Sequence, residues 1–460
     1  MKLPSASLFR AYDIRGVVGD DLEAADFLAI GHAFASLIAE QCQCRTPLIV
    51  AMRDGRDSSP GLLEAMIEGM LKAGAHVLDG GLAPTPECYF ATHHLDADGS
   101  VVVTGSHNPP GHNGAKFMAD GLSLYGAALL GLRTRIEEAR LVHSRGVREE
   151  IRVGEEYADA LKRALGPERP LDSMWIAWDC GNGAAGPVVE ALTAGAMATQ
   201  HLLFTTPDGN FPNHHPDPSD PENLRDLQQL IAARGADLGV AFDGDGDRLG
   251  AVDDKGRVVA PDHLLMLFAD EVLKHNPGAT ILADVKTSDM FFARVKEKGG
   301  VPLMWKTGHA LIKSKMRESG ALFAGEASGH IFFADEYLGF DDGLYAAVRL
   351  IRLVHDSGKK LSQLIDDLPK LHASEEFRIP CADDKKFAVV ESIAAELEKE
   401  GAEVNTLDGV RVSTKDGWWL LRASNTQAAL VARAEGVTPE ATEKLTGMLR
   451  SKLAAREVTF

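Results

Sequence analysis

Three times in this chain a short apolar run stops abruptly in a loop of small, polar and charged residues: VVVTGSHNP from Val101, LGVAFDGDGDR from Leu238 and ALFAGEASGH from Ala321. Helical-period segments separate such runs; PLIVAM at 47–52 precedes a helix-like stretch at 60–73 and then HVLDGG at 76–81. That alternation reads as α/β. Asp220 is placed to cap a helix with Pro221 at its first position. Leu224, Leu227, Leu230 and Ile231 then make an apolar stripe leading to LGVAF at 238–242. Ligands of open α/β sheets gather at the carboxyl ends of strands, so three such ends predict three similar domains facing one site.

At 460 residues the chain exceeds one hydrophobic core, and three or four units are expected. Candidate boundaries fall near 150, where a charged helix-like stretch with REE ends, near 254 in DDKGR, and near 368 in DDLPK. They divide the chain into 1–150, 151–254, 255–368 and 369–460. The last segment differs. It has FRIP, a helical run at 385–400, the strand-rich VRVSTKDGWWLLRASN and a closing helix, which reads as a small α+β domain.

With 48 basic against 67 acidic residues, net −19, no general attraction to nucleic acid or an anionic membrane is expected. Any anionic ligand needs a local cluster of donors. There is neither an apolar leader near Met1 nor a run approaching the ~18 residues of a membrane span, so a soluble, cytoplasmic protein is predicted. Five scattered cysteines fit a reducing compartment rather than a disulfide framework. Cys42 and Cys44 form only a C-x-C, read as a surface loop rather than a metal site.

Thr104-Gly105-Ser106-His107-Asn108-Pro109-Pro110 leaves a strand and is stiffened by two prolines. Gly105 is placed to let the backbone turn tightly, so that Ser106 stands where a phosphoryl group can reach it. Taken alone, the segment reads equally as a polar turn that contains a serine. Asp243-Gly244-Asp245-Gly246-Asp247-Arg248 sets carboxylates on alternate positions, with glycines that let all three face one hard cation. Magnesium suits these oxygens better than zinc. An EF-hand loop is excluded, because its sixth position would be Arg248 instead of Gly and its twelfth Asp254 instead of Glu.

Gly181-Asn182-Gly183-Ala184-Ala185-Gly186 matches G-x-G-x-x-G after the strand-like MWIAWD, which raises a nucleotide-dependent oxidoreductase as a rival. Asp179 would put negative charge beside a pyrophosphate, and nothing else completes a hydride-transfer site. A tight strand-to-helix turn accounts for the glycines. No G-x-x-x-x-G-K-[ST] occurs, which disfavours a P-loop kinase. Gly325-Glu326-Ala327-Ser328-Gly329-His330 offers a carboxylate, a hydroxyl and an imidazole, the mixture sugar hydroxyls need. Arg422-Ala423-Ser424-Asn425-Thr426 offers a guanidinium with hydroxyl and amide donors, suited to a phosphate dianion. Each of these two is also readable as a polar loop or helix cap.

These four loops, in this order, together with Phe9-Arg10-Ala11-Tyr12-Asp13-Ile14-Arg15-Gly16, resemble the α-D-phosphohexomutase superfamily over nearly the whole chain. TGSHNP, GEASGH and RASNT resemble its bifunctional phosphomannomutase/phosphoglucomutase group. The resemblance implies three similar α/β domains with mixed sheets plus a C-terminal α+β domain, arranged around a central active-site cleft. It implies that Ser106 carries phosphate. Asp243, Asp245 and Asp247 would ligate Mg2+ with an oxygen on Ser106. Glu326 and Ser328 would bind sugar hydroxyls, and Arg422, Ser424, Asn425 and Thr426 the phosphate that is not being transferred.

Tyr12, Arg15, His107, Lys286 and His330 are further expected substrate contacts. Arg248 and Lys116 would offset charge on the transferring phosphoryl, with Lys116 and His309 the candidates for general acid/base work. His309 is alternatively a hydrogen-bonding histidine at a helix start. His214 and His215 are read as loop structure. The implied reaction interconverts hexose 1-phosphate and hexose 6-phosphate, of glucose and mannose, through a 1,6-bisphosphate that reorients in the cleft. Glucose 1,6-bisphosphate would serve as activator, and a monomer is expected. A non-catalytic sugar-phosphate binder is the third class; it would be expected to have lost the serine or the aspartates, and all are present.

Overall fold

A computed structural model describes residues 2–166, 174–195, 200–425 and 427–460. The first domain is built on a sheet whose strands run, in spatial order, Ile14–Val17, His112–Ala119, Gly99–Val103, Leu48–Arg53, His76–Leu82 and Val147–Glu150. Leu48–Arg53 lies parallel to both its neighbours, while Gly99–Val103 and His112–Ala119 are antiparallel. The sheet is therefore mixed. Val147–Glu150, read from its charges as helix-like, is instead an exposed edge strand parallel to His76–Leu82. An edge strand with solvent on its sides needs no apolar alternation, so its pattern carries no strand signal. Arg148 anchors it by donating to Asp79 and Glu64.

The second and third domains repeat one plan on smaller mixed sheets. Leu249–Asp253, Leu238–Phe242, Ile176–Asp179 and Gln200–Leu203 form one sheet; Val301–Trp305, Thr280–Asp284, Phe323–Gly325 and Ile331–Phe333 form the other. In each, the strand that precedes the motif loop pairs antiparallel with the strand that follows it: Val103 opposite Ala115, Phe242 opposite Leu249 and Gly325 opposite Ile331. The C-terminal domain is a fully antiparallel sheet with helices Lys386–Lys399 and Pro439–Ala454. Its loop after Ala423 also joins an antiparallel pair, Ala423 opposite Leu430. Four short returns thus carry the four motifs, each held at both ends by a ladder of backbone hydrogen bonds.

Local signals give most elements their ends. Asp220 caps by accepting from Glu222 N, but Pro221–Leu224 winds as a 3-10 turn and the α-helix begins only at Arg225. The stripe behaves as expected, with Leu224, Leu227 and Ile231 buried against Ala177 and Val252. Cys42 and Cys44 differ from expectation. They lie in the turn after helix Ala24–Gln41 and are joined by a disulfide, brought together by Gln43 at φ 53°. This bridge closes a three-residue turn and ties no two elements together.

Packing groups the domains unequally. Tyr157, Trp178 and Phe242 of the second domain belong to the same continuous apolar core as Phe268, Phe323 and Tyr345 of the third. The first domain has its own main core but lends Tyr89, Phe90 and Met118 to the shared one, and the C-terminal domain has its own core. The C-terminal sheet docks on the third domain through polar contacts, Arg433 to Asp262 at 2.7 Å, Ser288 to Glu435 at 2.8 Å and Arg411 to Asp289 at 2.8 Å, and through a small apolar cluster in which Trp418 and Leu420 meet Val285. A domain that shares its core cannot bury enough apolar surface alone. Residues 155–256 expressed by themselves are therefore expected to show no cooperative melting transition in calorimetry, whereas 155–372 should melt as one unit.

Candidate active site

Gly99–Val103 delivers Ser106, and the turn itself falls on the serine. Ser106 has φ 49°, in the left-handed region that non-glycine residues rarely occupy. Gly105, expected to supply that turn, does something else. A Cβ on it would lie 2.5 Å from the Arg56 guanidinium, so it is small because Arg56 fills the space. The Ser106 hydroxyl donates to Asp243 Oδ2 at 2.8 Å and lies 3.3 Å from His107 Nδ1. Serine and aspartate come from different domains, and Gly244 permits their approach: a Cβ there would stand 2.4 Å from the Ser106 carbonyl oxygen.

Asp243, Asp245 and Asp247 are fully buried, and one oxygen from each carboxylate lies within 4.8 Å of the other two. Lys116, on strand His112–Ala119, donates to Asp245 Oδ2 at 2.6 Å and to Asp247 Oδ2. Burial works against its charge, yet the two carboxylates hold the Lys116 ammonium well above the ordinary lysine value. Burial and the charges of Asp245 and Asp247 push Asp243 well above the carboxylate range. Asp245 Oδ1 and Asp247 Oδ1 are buried with no hydrogen-bond partner among the described residues. Three buried acceptors, two of them with an oxygen unsatisfied, fit a hard divalent cation, which would relieve this repulsion.

Ser106 and Lys116 open into a cleft lined by all four domains. Tyr12, Arg15, His107, Arg248, Lys286, His309, Glu326, Ser328, His330, Arg422 and Ser424 share its wall. Arg15 donates to the Gly105 carbonyl at 2.6 Å, bracing the serine loop. Arg248 Nε donates to His330 Nε2 at 3.1 Å. His309 begins helix His309–Ser319, its ring stacked on that of His330 with centroids 5.4 Å apart. Its Nδ1 lies 3.3 Å from the buried Asp341 carboxylate, and burial lowers its pKa despite that neighbour.

Lys286 pairs with Glu376 at 2.9 Å, and Arg422 Nε with Asp408 at 3.0 Å. Arg422 Nη2 is buried with no partner among the described residues. Asn425 is the one described exception among the expected wall residues. It faces the Tyr12 hydroxyl, donating to it at 2.5 Å, and Tyr12 in turn donates to the Thr307 carbonyl at 2.7 Å. Thr426 lies outside the described residues. The G-x-G-x-x-G segment packs behind the aspartate loop. Cβ atoms on Gly183 and Gly186 would meet the carbonyl oxygens of Gly244 at 2.8 Å and Thr205 at 1.7 Å. His214 Nε2 sits 3.1 Å from Asp179.

Residues 6–143, 155–256, 260–372 and 376–452 match, in order, the families described as phosphoglucomutase/phosphomannomutase alpha/beta/alpha domains I, II and III and C-terminal domain. The chain belongs to the phosphoglucomutase/phosphomannomutase family. It is 43% identical over 450 residues to a phosphomannomutase/phosphoglucomutase of Pseudomonas aeruginosa, covering 98% of this chain and 96% of that one. A phosphoglucomutase of Neisseria gonorrhoeae is 43% identical, with 95% of each chain covered. A crystal structure of a phosphoglucomutase/phosphomannomutase family protein from Burkholderia thailandensis superposes with TM-score 0.89 at 42% identity, covering 98% of both chains.

Several residues of this family member's site escaped the sequence reading. Arg56 and Asp54 follow LIVAM in RDGRD, an apolar run ending in a charged loop of the same form as the other three. Asp341, in GFDDG, gathers His309, His330 and Lys313, the last at 2.7 Å. Glu376, Arg378 and Gln427 line the C-terminal side of the cleft. Only the Asp54–Arg56 segment carried a signal; the others lie in loops whose composition is ordinary.

Glu326 is 1% exposed, accepts from Gly308 N at 2.6 Å through Oε1, and has no partner for Oε2 among the described residues. Burial first, then the charge of Asp284, raise its carboxyl to about 7. Between its ordinary value of 4.5 and about 7 the folded state holds a proton that the unfolded chain has lost, so stability falls as pH rises through this window. Glu326→Gln keeps the oxygen that accepts from Gly308 and removes the titration. Its melting temperature relative to wild type should rise by a few degrees between pH 5 and pH 8, measured without ligand; a pH-independent difference would contradict this assignment.

Proposed function

We propose that the enzyme reversibly interconverts the 1-phosphates and 6-phosphates of glucose and mannose, with Ser106 as phosphoryl carrier. The observation that carries the reading is the Ser106 hydroxyl. It is held to Asp243 at the floor of a cleft whose wall comes from all four domains. A serine in a left-handed turn, buried beside three carboxylates and a lysine, is poorly explained as a polar turn. The strand-end location of every motif loop supports the same reading.

In this scheme phosphoserine gives its phosphoryl to the free hydroxyl of the bound hexose phosphate. The Ser106 oxygen–phosphorus bond breaks as the sugar oxygen–phosphorus bond forms, and the resulting 1,6-bisphosphate turns in the cleft. It then returns its other phosphoryl to Ser106, and free glucose 1,6-bisphosphate recharges any dephosphorylated serine. Asp243, Asp245 and Asp247 would hold Mg2+, which when bound neutralises charge on the transferring group. Lys116 and Arg248 add fixed positive charge at the same end of the cleft.

Of the two candidates for proton transfer, Lys116 is held as an ammonium by Asp245 and Asp247, so His309 removes the proton from the attacking sugar hydroxyl and returns it in the second half-reaction. His309, kept neutral by burial, is suited to accept it. Glu326 and Ser328 read hydroxyls near the midpoint of the turning sugar, O3 and O4, which glucose and mannose share; discrimination at C2 is correspondingly weak. Arg422, whose Nη2 has no partner among the described residues, and Lys286 grip the phosphate that stays in place. Ser424, Asn425 and Thr426 complete that subsite, and Tyr12, Arg15, His107 and His330 frame the cleft. We assign the four domains to 1–150, 151–254, 255–368 and 369–460, acting as a soluble cytoplasmic monomer.

Intact-mass analysis should find a fraction of the protein heavier by about 80 Da, one phosphoryl group. Ser106→Ala should remove both that species and turnover, and full activity in this variant would sink the carrier assignment. Arg422→Ala should raise KM for glucose 1-phosphate and mannose 1-phosphate alike. The contact is charge-assisted and blind to C2, and its loss costs about 1.5–3 kcal/mol, roughly ten- to a hundred-fold. Steady-state kinetics on both substrates decides this, and impairment toward one hexose only would show that Arg422 reads the sugar.

A further inference from the structure

The Ser106 loop makes no regular secondary structure, yet it holds a serine in a conformation the residue does not favour. Arg56 accounts for this. Its guanidinium is buried at 1% exposure and donates to four backbone carbonyls of the loop: Ser106 at 2.7 Å, Asn108 at 2.5 Å, Pro109 at 2.7 Å and His112 at 3.0 Å. Its Nε donates to Asp54 at 3.1 Å. All five guanidinium hydrogens are thereby used, in the planar fork that lysine cannot imitate.

Asp54 completes the grip from the other side. It accepts from Thr104 Oγ1 at 2.8 Å, from Gly105 N at 3.1 Å and from Ser59 Oγ at 2.5 Å, while Thr104 Oγ1 accepts from Ser106 N at 2.8 Å. The second domain closes over the same arginine. The Phe211 ring centroid lies 5.1 Å from its guanidinium carbon, and a Cβ on Gly209 would stand 2.6 Å from its Cα. Arg56 is thus sandwiched between the serine loop of one domain and a loop of the domain that supplies Asp243.

The geometry points to Arg56 as a positioning residue for phosphoryl transfer: it fixes the backbone of residues 106–112 so that Ser106 Oγ faces Asp243. The inference rests on the reading of Ser106 as carrier. Phosphorylation and dephosphorylation change the charge at Ser106 twice in each turnover, and a loop held only by its own backbone would relax between the two states. Four carbonyls tied to one rigid cation let only the side chain change. Arg56 is buried behind the serine loop and does not line the cleft, so its loss should fall on kcat and spare KM.

Arg56→Gln is expected to lower kcat about a hundred-fold per folded molecule with KM for glucose 1-phosphate within about two-fold of wild type. Arg56→Lys should not rescue it, since a point charge cannot serve four carbonyls. Gly105→Ala tests the same contact from the loop side, because its methyl would displace the guanidinium 2.5 Å away and press on the His112 carbonyl that Arg56 holds, at 2.9 Å. It should lower kcat about ten-fold at unchanged KM. In a double-mutant cycle it should add little on top of Arg56→Gln, as expected when both act through one contact.

Wild-type kcat in folded Arg56→Gln, recovery in Arg56→Lys, or additive losses in the cycle would overturn the inference. Should Arg56→Gln fail to fold, Gly105→Ala alone decides: reduced kcat at constant KM supports the proposal, and wild-type kcat defeats it. Ser106→Ala measured alongside separates the two levels. An inactive Ser106→Ala with a fully active Arg56→Gln defeats only the positioning role, whereas an active Ser106→Ala defeats the carrier reading beneath it.

Discussion

One buried charge cluster organises this molecule. Lys116 of the first domain is 4% exposed and reaches Asp245 and Asp247 of the second, which are wholly buried beside Asp243. Burying ions is costly, and a pair of them is weak ground for stability by itself. Without the lysine, however, three carboxylates would share a dry site, which no fold tolerates unless they take up protons or a cation. The cluster therefore ties the two domains in one register. Thr85 confirms that register by donating through both its hydroxyl and its backbone N–H to Asp245, at 2.5 Å and 2.8 Å. Ser106 faces Asp243 only because this junction is closed.

The remaining domains are hung from that junction with graded stiffness. The second and third share an apolar core, which holds the aspartate loop and the Glu326 loop on one packed unit. The C-terminal domain is attached by a smaller seam of buried hydrogen bonds and ion pairs together with Trp418 and Leu420 packed on Val285. It reaches across the cleft to the first domain through Asn425 and Tyr12. The shared core thus carries the aspartate and Glu326 loops, and the separately cored C-terminal domain carries Arg422.

Much of this was legible from residue order alone because each motif sits at a strand end, where a break in apolar pattern and a run of small polar residues coincide. Ser106, the three aspartates, Glu326 and Arg422 were visible for that reason. Arg56 was not, although RDGRD follows its strand in the same way; its chemistry lies in the carbonyls it meets, and carbonyls have no sequence signature. Asp341 was missed for a similar reason, as its partners His309, His330 and Lys313 come from other elements. Val147–Glu150 misled because an exposed edge strand has no buried face to write a period of two into its residues.

The sequence by itself determined the α/β grammar, the order of the four loops and the chemistry each can offer, since strand length, turn residues and side-chain type are local properties. Tertiary structure alone decided three things. It made Ser106 rather than Gly105 the left-handed residue, because Arg56 occupies the space a side chain at 105 would need. It fused the second and third cores across the turn at 253–257, because apolar surface is buried wherever two faces meet regardless of chain position. And it set Lys116 against Asp245 and Asp247, more than a hundred residues away, because only the folded chain can pair charges that distant in sequence at a few ångströms.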